Sequence, residues 1–275
     1  MDVGQRRVRY LDQGEGHPLL LCHGFMGSLE NFHTWSPAFS GHRRVLIPDL
    51  PGCGETAAQR SPGTVRAHAD FLRDFADRLE LDRHDVGGIC LGATVALDYA
   101  SRFSERTTRL VLHTPVYAPS VVQPAFRRQV RWLTSGPTFW AIDRLRRNRT
   151  VSDLYKRFLT EGEGVDPYDA QVNFDNQCRA DGGAARAWLR DAVEQDFEAF
   201  LRSWHKPALI VVAADDKIVR VPAIRELAAA LPRAELRVIE AAGHGWTPAL
   251  IQAQVQVITA FLSQPGNPGS RAASE

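Results

Sequence analysis

DVGGICLGATVALDYA, residues 85–100, decides how this chain is read. Its opening is a short apolar run of strand length. From Cys90 onward Ala93, Ala96, Leu97 and Ala100 recur on one side at helical spacing. A strand therefore passes directly into a helix through Gly88-Ile89-Cys90-Leu91-Gly92. That is the frame G-x-nucleophile-x-G, with cysteine where serine is usual. A nucleophile on so sharp a turn leaves no room for neighbouring side chains, which explains a glycine on each side. The helix that follows directs its free N–H groups and positive end at the turn, where they stabilise negative charge on sulfur or on an oxyanion. The plain alternative is a buried cysteine packed as a small apolar residue in a glycine-rich bend.

Outward from this segment, short apolar runs alternate with helical patterns along the chain. Strands are expected at Val8–Asp12, Leu19–Cys22, Val45–Pro48, Asp85–Ile89, Arg109–His113, Leu209–Ala213 and Leu236–Ile239. The central ones are continuously apolar, as strands covered on both faces are. Amphipathic helices are expected at 64–81, after Cys90, at 222–231 and at 248–262, the last two opening on a proline. The pattern predicts an α/β fold, a mostly parallel central sheet flanked by helices. From 117 to 204 no convincing strand occurs, only helical patterns, aromatics and a glycine-containing break at 161–164. So long a segment reads as an inserted helical subdomain. The expected organisation is a core in two parts, 1–116 and 205–263, the insert 117–204, and a disordered tail 264–275 rich in Pro, Gly and Ser.

Other turns complete a constellation around Cys90. His23-Gly24-Phe25-Met26-Gly27-Ser28 follows the strand Leu19–Cys22, and the N–H groups of Phe25 and Leu91 would form a two-donor oxyanion hole. His23 and Asp49 are read as loop-bracing residues. A thiol nucleophile needs a base, and the base an orienting acid. Asp215 and Asp216 end one expected strand, and Ala242-Gly243-His244-Gly245 follows another. The chain order nucleophile, acid, histidine at 90, 216 and 244 is the one this type of elbow uses.

With these residues in view, the chain over most of 1–263 resembles the α/β-hydrolase superfamily. RRVRYLDQGEGHPLLLCHGFMGSLENF (6–32) is similar to the opening strands and oxyanion turn of its esterase and C–C hydrolase branches. DLPGCGET (49–56), ADDKIV (214–219) and AGHG (242–245) resemble the turn after its fourth strand, its acid segment and its histidine segment. The resemblance puts Asp216 in the acid role, with Asp215 as fallback, and makes the helical insert a cap domain. Cysteine at the elbow is similar to dienelactone hydrolases and polyester synthases. It implies hydrolysis of an ester, thioester, lactone or C–C bond through a Cys90 acyl-enzyme. Acyl transfer or chain release through the same intermediate is the alternative, and a non-catalytic ligand-binding protein on the same scaffold is another.

Met26, Trp35, His113, Trp140 and Trp246 are the expected substrate contacts beside Phe25. In the insert Trp132, Phe139, Phe158, Phe174 and Trp188 are further candidates for an apolar lining. The 275 residues balance 33 Lys+Arg against 32 Asp+Glu, so no whole-chain field attracts nucleic acid or a membrane. The excess is local: seven arginines (127, 128, 131, 144, 146, 147, 149) against Asp143 in 120–149, read first as a solvated helix face and otherwise as a docking patch for an anionic substrate or an acidic partner such as an acyl carrier protein. The expected partners are a small acyl substrate and such a carrier, with neither nucleic acid nor membrane. No cofactor is expected, and no metal, since no H-x-x-x-H or C-x-x-C pair occurs. MDVGQRRVRY contains no apolar signal core and the four cysteines are scattered, so a cytoplasmic protein is expected.

Overall fold

The computed structural model describes residues 1–58, 63–146, 148, 150–151, 166–240 and 247–264. All seven expected strands are present in one sheet: β3 (Tyr10–Gln13), β4 (Pro18–Cys22), β5 (Arg44–Pro48), β6 (His84–Ile89), β7 (Thr107–His113), β8 (Ala208–Ala213) and β9 (Ala234–Ile239). A separate hairpin of β1 (Asp2–Val3) and β2 (Arg6–Arg7) precedes them. The order across the sheet is β3-β5-β4-β6-β7-β8-β9; β3 runs antiparallel to β5 and every other pairing is parallel.

Alternation along the strands supplies two cores. Leu20, Cys22, Val86, Leu110, Leu112, Ile210 and Val212 point to one face. Leu19, Leu21, Ile89, Val111, Leu209 and Val211 point to the other. The first face is covered by α2 (Val65–Arg78), whose N-terminus is capped by the Thr64 side chain accepting from Ala67 N–H, and by α3 (Leu91–Arg102). The second is covered by α1 (Trp35–Ser40) and α10 (Pro248–Leu262), while α9 (Val221–Ala230), which connects β8 to β9, packs Val221, Ile224 and Leu227 onto the first face. Helix α3 differs from the one-sided pattern expected of it. Every residue from Leu91 to Ala100 is buried, because the helix lies between the sheet and other helices.

Between β7 and β8 the described residues form α4 (Pro124–Leu133), α5 (Gly136–Arg146), α6 (Pro167–Arg179), α7 (Gly182–Ala192) and α8 (Glu198–Arg202), with no strand among them. The segment is rooted by backbone bonds from Gln123 N–H to Ile218 O (2.8 Å) and from Arg220 N–H to Val121 O (2.7 Å). The break expected at 161–164, Phe158, and the tail beyond Gln264 lie outside the described residues.

Trp188 of α7 joins this segment to the core by packing against His68 of α2, ring centroids 4.6 Å apart. His68 is fully buried, neither ring nitrogen has a hydrogen-bond partner among the described residues, and burial holds its pKa down at about 3. It is neutral in the fold and takes a proton once unfolded. Stability is therefore complete above the ordinary histidine pKa of about 6.5 and falls as pH drops below it, by about 1.4 kcal/mol per pH unit for one such group. Thermal melts should show Tm declining from pH 6.5 to pH 4, and His68→Leu should flatten that decline. An unchanged slope in the variant would contradict this role.

Candidate active site

Cys90 is the single residue between β6 and α3, and its backbone is left-handed, φ 54° and ψ −118°. Such a conformation costs a non-glycine residue about 1–3 kcal/mol. Its neighbours show why the turn is held. A Cβ on Gly92 would lie 2.3 Å from His23 O and 2.4 Å from Cys22 O; one on Gly88 would lie 2.4 Å from the Gly92 carbonyl. The helix start is thus pressed onto the ends of β4 and β6, and only glycines permit it. Cys90 N–H donates to His113 O at 2.9 Å, which ties the turn to the end of β7.

The 23–27 turn, expected to supply an oxyanion donor, lies beside Cys90. A Cβ on Gly24 would be 3.7 Å from Cys90 Cβ, so the 23–27 backbone runs beside the cysteine. The N–H groups of Phe25 and Leu91 donate to none of the described residues. His23 is buried, and its Nε2 accepts from Leu50 N–H at 3.0 Å while Nδ1 donates to Gly24 O at 2.9 Å. Burial lowers its pKa, so a neutral ring clamps two loops. Asp49 likewise accepts from Leu29 N–H (2.8 Å) and Glu55 N–H (2.9 Å), a brace between turns.

Of the two expected acids, Asp215 is exposed and Asp216 is buried. One Asp216 carboxylate oxygen accepts from Ile218 and Val219 N–H, both at 2.8 Å, and the other lies 3.4 Å from Thr114 Oγ1. Thr114 follows His113, so the acid's turn and the cysteine's turn meet across the end of β7. Strand β9 ends beside them, with Ala214 N–H donating to Ile239 O at 2.9 Å. His244 and Trp246 fall in 241–246, outside the described residues, between β9 and the Thr247 cap of α10.

A cavity of about 270 Å³ opens at Cys90, walled by Phe25, Ile89, Leu91, Val130, Leu133 and Leu189. His113 lines it as expected. Its polar wall includes residues that the sequence reading missed. Gln254 of α10 reaches His113 Nε2 at 2.7 Å, and Asn31 donates to Asn173 Oδ1 of α6 at 3.0 Å. No local pattern marks either pair, since each joins segments far apart in sequence. A second cavity of about 570 Å³, lined by Met26, Phe139 and Phe174 among others, shares Phe25, Leu133 and Leu189 with the first.

Two expected substrate contacts are corrected. Trp35 is buried in the core between Phe32 and Phe39, with its ring 5.9 Å from that of His113, and lines neither cavity. Trp140 is 68% exposed on α5, because its side of that helix faces water. Of the other aromatics, Trp132 also faces water and Trp188 packs the core.

The four cysteines differ in surroundings. Burial pushes the Cys53 thiol up to about 12 and the Cys22 thiol higher still, and Cys178 is raised for the same reason; Cys90 is half-buried on the cavity wall. Iodoacetamide at neutral pH should modify Cys90 first in the native protein, as read by peptide mass mapping. Labelling of Cys22 or Cys53 at the same rate would contradict this arrangement.

Comparison with known proteins agrees with the architecture. A family model described as alpha/beta hydrolase fold matches residues 17–245. The dihydrolipoyllysine-residue acetyltransferase component of the acetoin cleaving system of Pseudomonas putida is 28% identical over 258 residues, covering 88% of this chain; the chain spans 63% of that protein's length. The 2-hydroxymuconate semialdehyde hydrolase of Pseudomonas sp. (strain CF600) is 27% identical over 278 residues, with 95% of this chain and 89% of that protein covered. Among solved structures, the enol-lactonase from Burkholderia xenovorans LB400 superposes with a TM-score of 0.77 at 19% identity, covering 95% of this chain and 98% of that one.

Proposed function

This chain belongs to the alpha/beta hydrolase fold family, and from that premise we propose that it hydrolyses an ester, thioester or lactone through an acyl group carried on Cys90. The observation that supports this best is the left-handed backbone of Cys90 at the cavity wall, with the Phe25 and Leu91 N–H groups donating to none of the described residues. Strain of this kind, held by close backbone contacts, is characteristic of a working position.

The steps follow from the groups at hand. Cys90 Sγ bonds to the substrate carbonyl carbon as its proton passes to the His244 imidazole. The carbonyl electron pair moves onto oxygen, where the two N–H groups receive it. Collapse breaks the bond to the leaving alcohol or thiol, which takes the proton from His244, and a thioester remains on Cys90. Water then gives a proton to His244 and adds to the thioester. The second collapse releases the carboxylic acid and restores the thiol. Asp216 orients His244 and stabilises its cationic form. The helical segment 117–204 serves as a cap, with Leu133 and Leu189 setting the passage from the inner to the outer cavity.

Transfer to an acceptor is the second reading, favoured by the reactivity of a thioester towards amines and thiols and by the acetyltransferase name of the P. putida relative. Product analysis with added amine, alcohol and thiol acceptors separates the two. An activated ester should give a burst equal to the enzyme concentration, with the acyl mass found on the Cys90 peptide. Cys90→Ala and His244→Ala should abolish the burst, and Asp216→Asn should lower kcat about 10²–10⁴-fold. A burst that survives in Cys90→Ala would overturn the reading. Leu133→Trp should lower kcat/KM for long acyl groups about tenfold more than for acetyl, measured across a chain-length series.

A further inference from the structure

Among the described residues, the large apolar side chains most open to water are Trp132, Trp140, Leu145, Val151 and Tyr168, all within the segment between β7 and β8. Trp132 is 62% exposed, Trp140 68%, Leu145 51% and Val151 40%. A concentration of this kind, interleaved with charge, marks a surface that meets something. On α5 the exposed residues Pro137, Trp140, Ala141, Arg144 and Leu145 follow helical spacing and form one side. On α4 Arg128, Arg131 and Trp132 are the exposed counterparts. The inward sides already have their own apolar residues, Val130 and Leu133 on α4 and Phe139 and Ile142 on α5, so the outward tryptophans are surplus to packing.

Among the described residues, the charge on this face is only partly compensated. Arg127 is bonded to Glu194, at 2.5 Å, and Arg146 takes Asp143 and three backbone carbonyls. Arg128, Arg131 and Arg144 have no carboxylate partner among the described residues, and Asp143 is the only acid on the two helices. Leu145 of this face and the exposed Val151 both line the 570 Å³ cavity, so the patch reaches the cavity's rim.

We propose that the outward face of α4 and α5 docks on an anionic lipid surface. Trp132 and Trp140 settle at headgroup level, and Arg128, Arg131 and Arg144 meet the lipid phosphates. The outer cavity then opens towards the acyl layer. A lipid surface is favoured over an acidic protein because it complements both halves of the patch, the cations and the apolar rim of an open cavity. Contact is peripheral: no helix among the described residues is long and apolar enough to cross a membrane. The near-zero charge of the whole chain conceals this local excess.

The test is co-sedimentation of the full chain with vesicles at low salt. Vesicles of phosphatidylglycerol and phosphatidylcholine should bind it about tenfold more tightly than phosphatidylcholine alone, with the difference shrinking as salt rises. A Trp132→Ser/Trp140→Ser variant and an Arg128→Gln/Arg131→Gln/Arg144→Gln variant should each lose about tenfold. Both should keep the parent's melting temperature and its turnover of a small water-soluble thioester. Cys90→Ala should bind vesicles like the parent, which separates this result from the fate of the acyl-enzyme reading. Equal binding to both vesicle types, undiminished binding by the folded variants, or no binding by the parent would overturn the proposal. So would capture by an acidic carrier protein with vesicles left unbound.

Discussion

The contact on which the rest depends is the approach of α3 to the ends of β4 and β6. Gly92 lies so close to the carbonyl groups of Cys22 and His23 that a single added carbon would collide with them. That approach leaves Cys90 no room to turn by an ordinary conformation, and its φ of 54° is the result. It also brings the 23–27 turn beside the sulfur and aims the start of a buried helix at the same point. Backbone packing and the unusual conformation of Cys90 are consequences of one constraint.

Much of the fold was legible because the sheet is covered on both faces. Strands such as Ala208–Ala213 must be apolar at every position, and such runs stand out between helices of a different period. The elbow and the turn after β4 were legible for a related reason, since close backbone approaches leave glycines behind. Gln254 beside His113 and Asn31 beside Asn173 were not, because their partners come from segments more than a hundred residues away. Trp35 and Trp140 were misplaced in opposite directions. An aromatic beside a glycine-rich turn can lie beneath the sheet's ends, and one on an insert can face water; sequence spacing distinguishes neither case.

The site combines a small, mostly apolar chamber at the sulfur with a larger one behind it, divided by Phe25, Leu133 and Leu189. Its few polar side chains, His113, Gln254, Asn31 and Asn173, hold one another. They fix the shape of the chamber, while the apolar walls offer few hydrogen-bonding groups to whatever enters it. Such a division of labour is common in ligand cavities.

The root of the helical segment between β7 and β8 has a mechanical meaning. Val122 bridges to Val219, and Gln123 and Arg220 bond across the same pair of segments, so the contacts fall on Ile218 and Val219, whose N–H groups hold the Asp216 carboxylate, and on the residue after them. A hinge at 121–123 would therefore drag the acid with it. Bending farther out, beyond α4, would leave the carboxylate in register with β8.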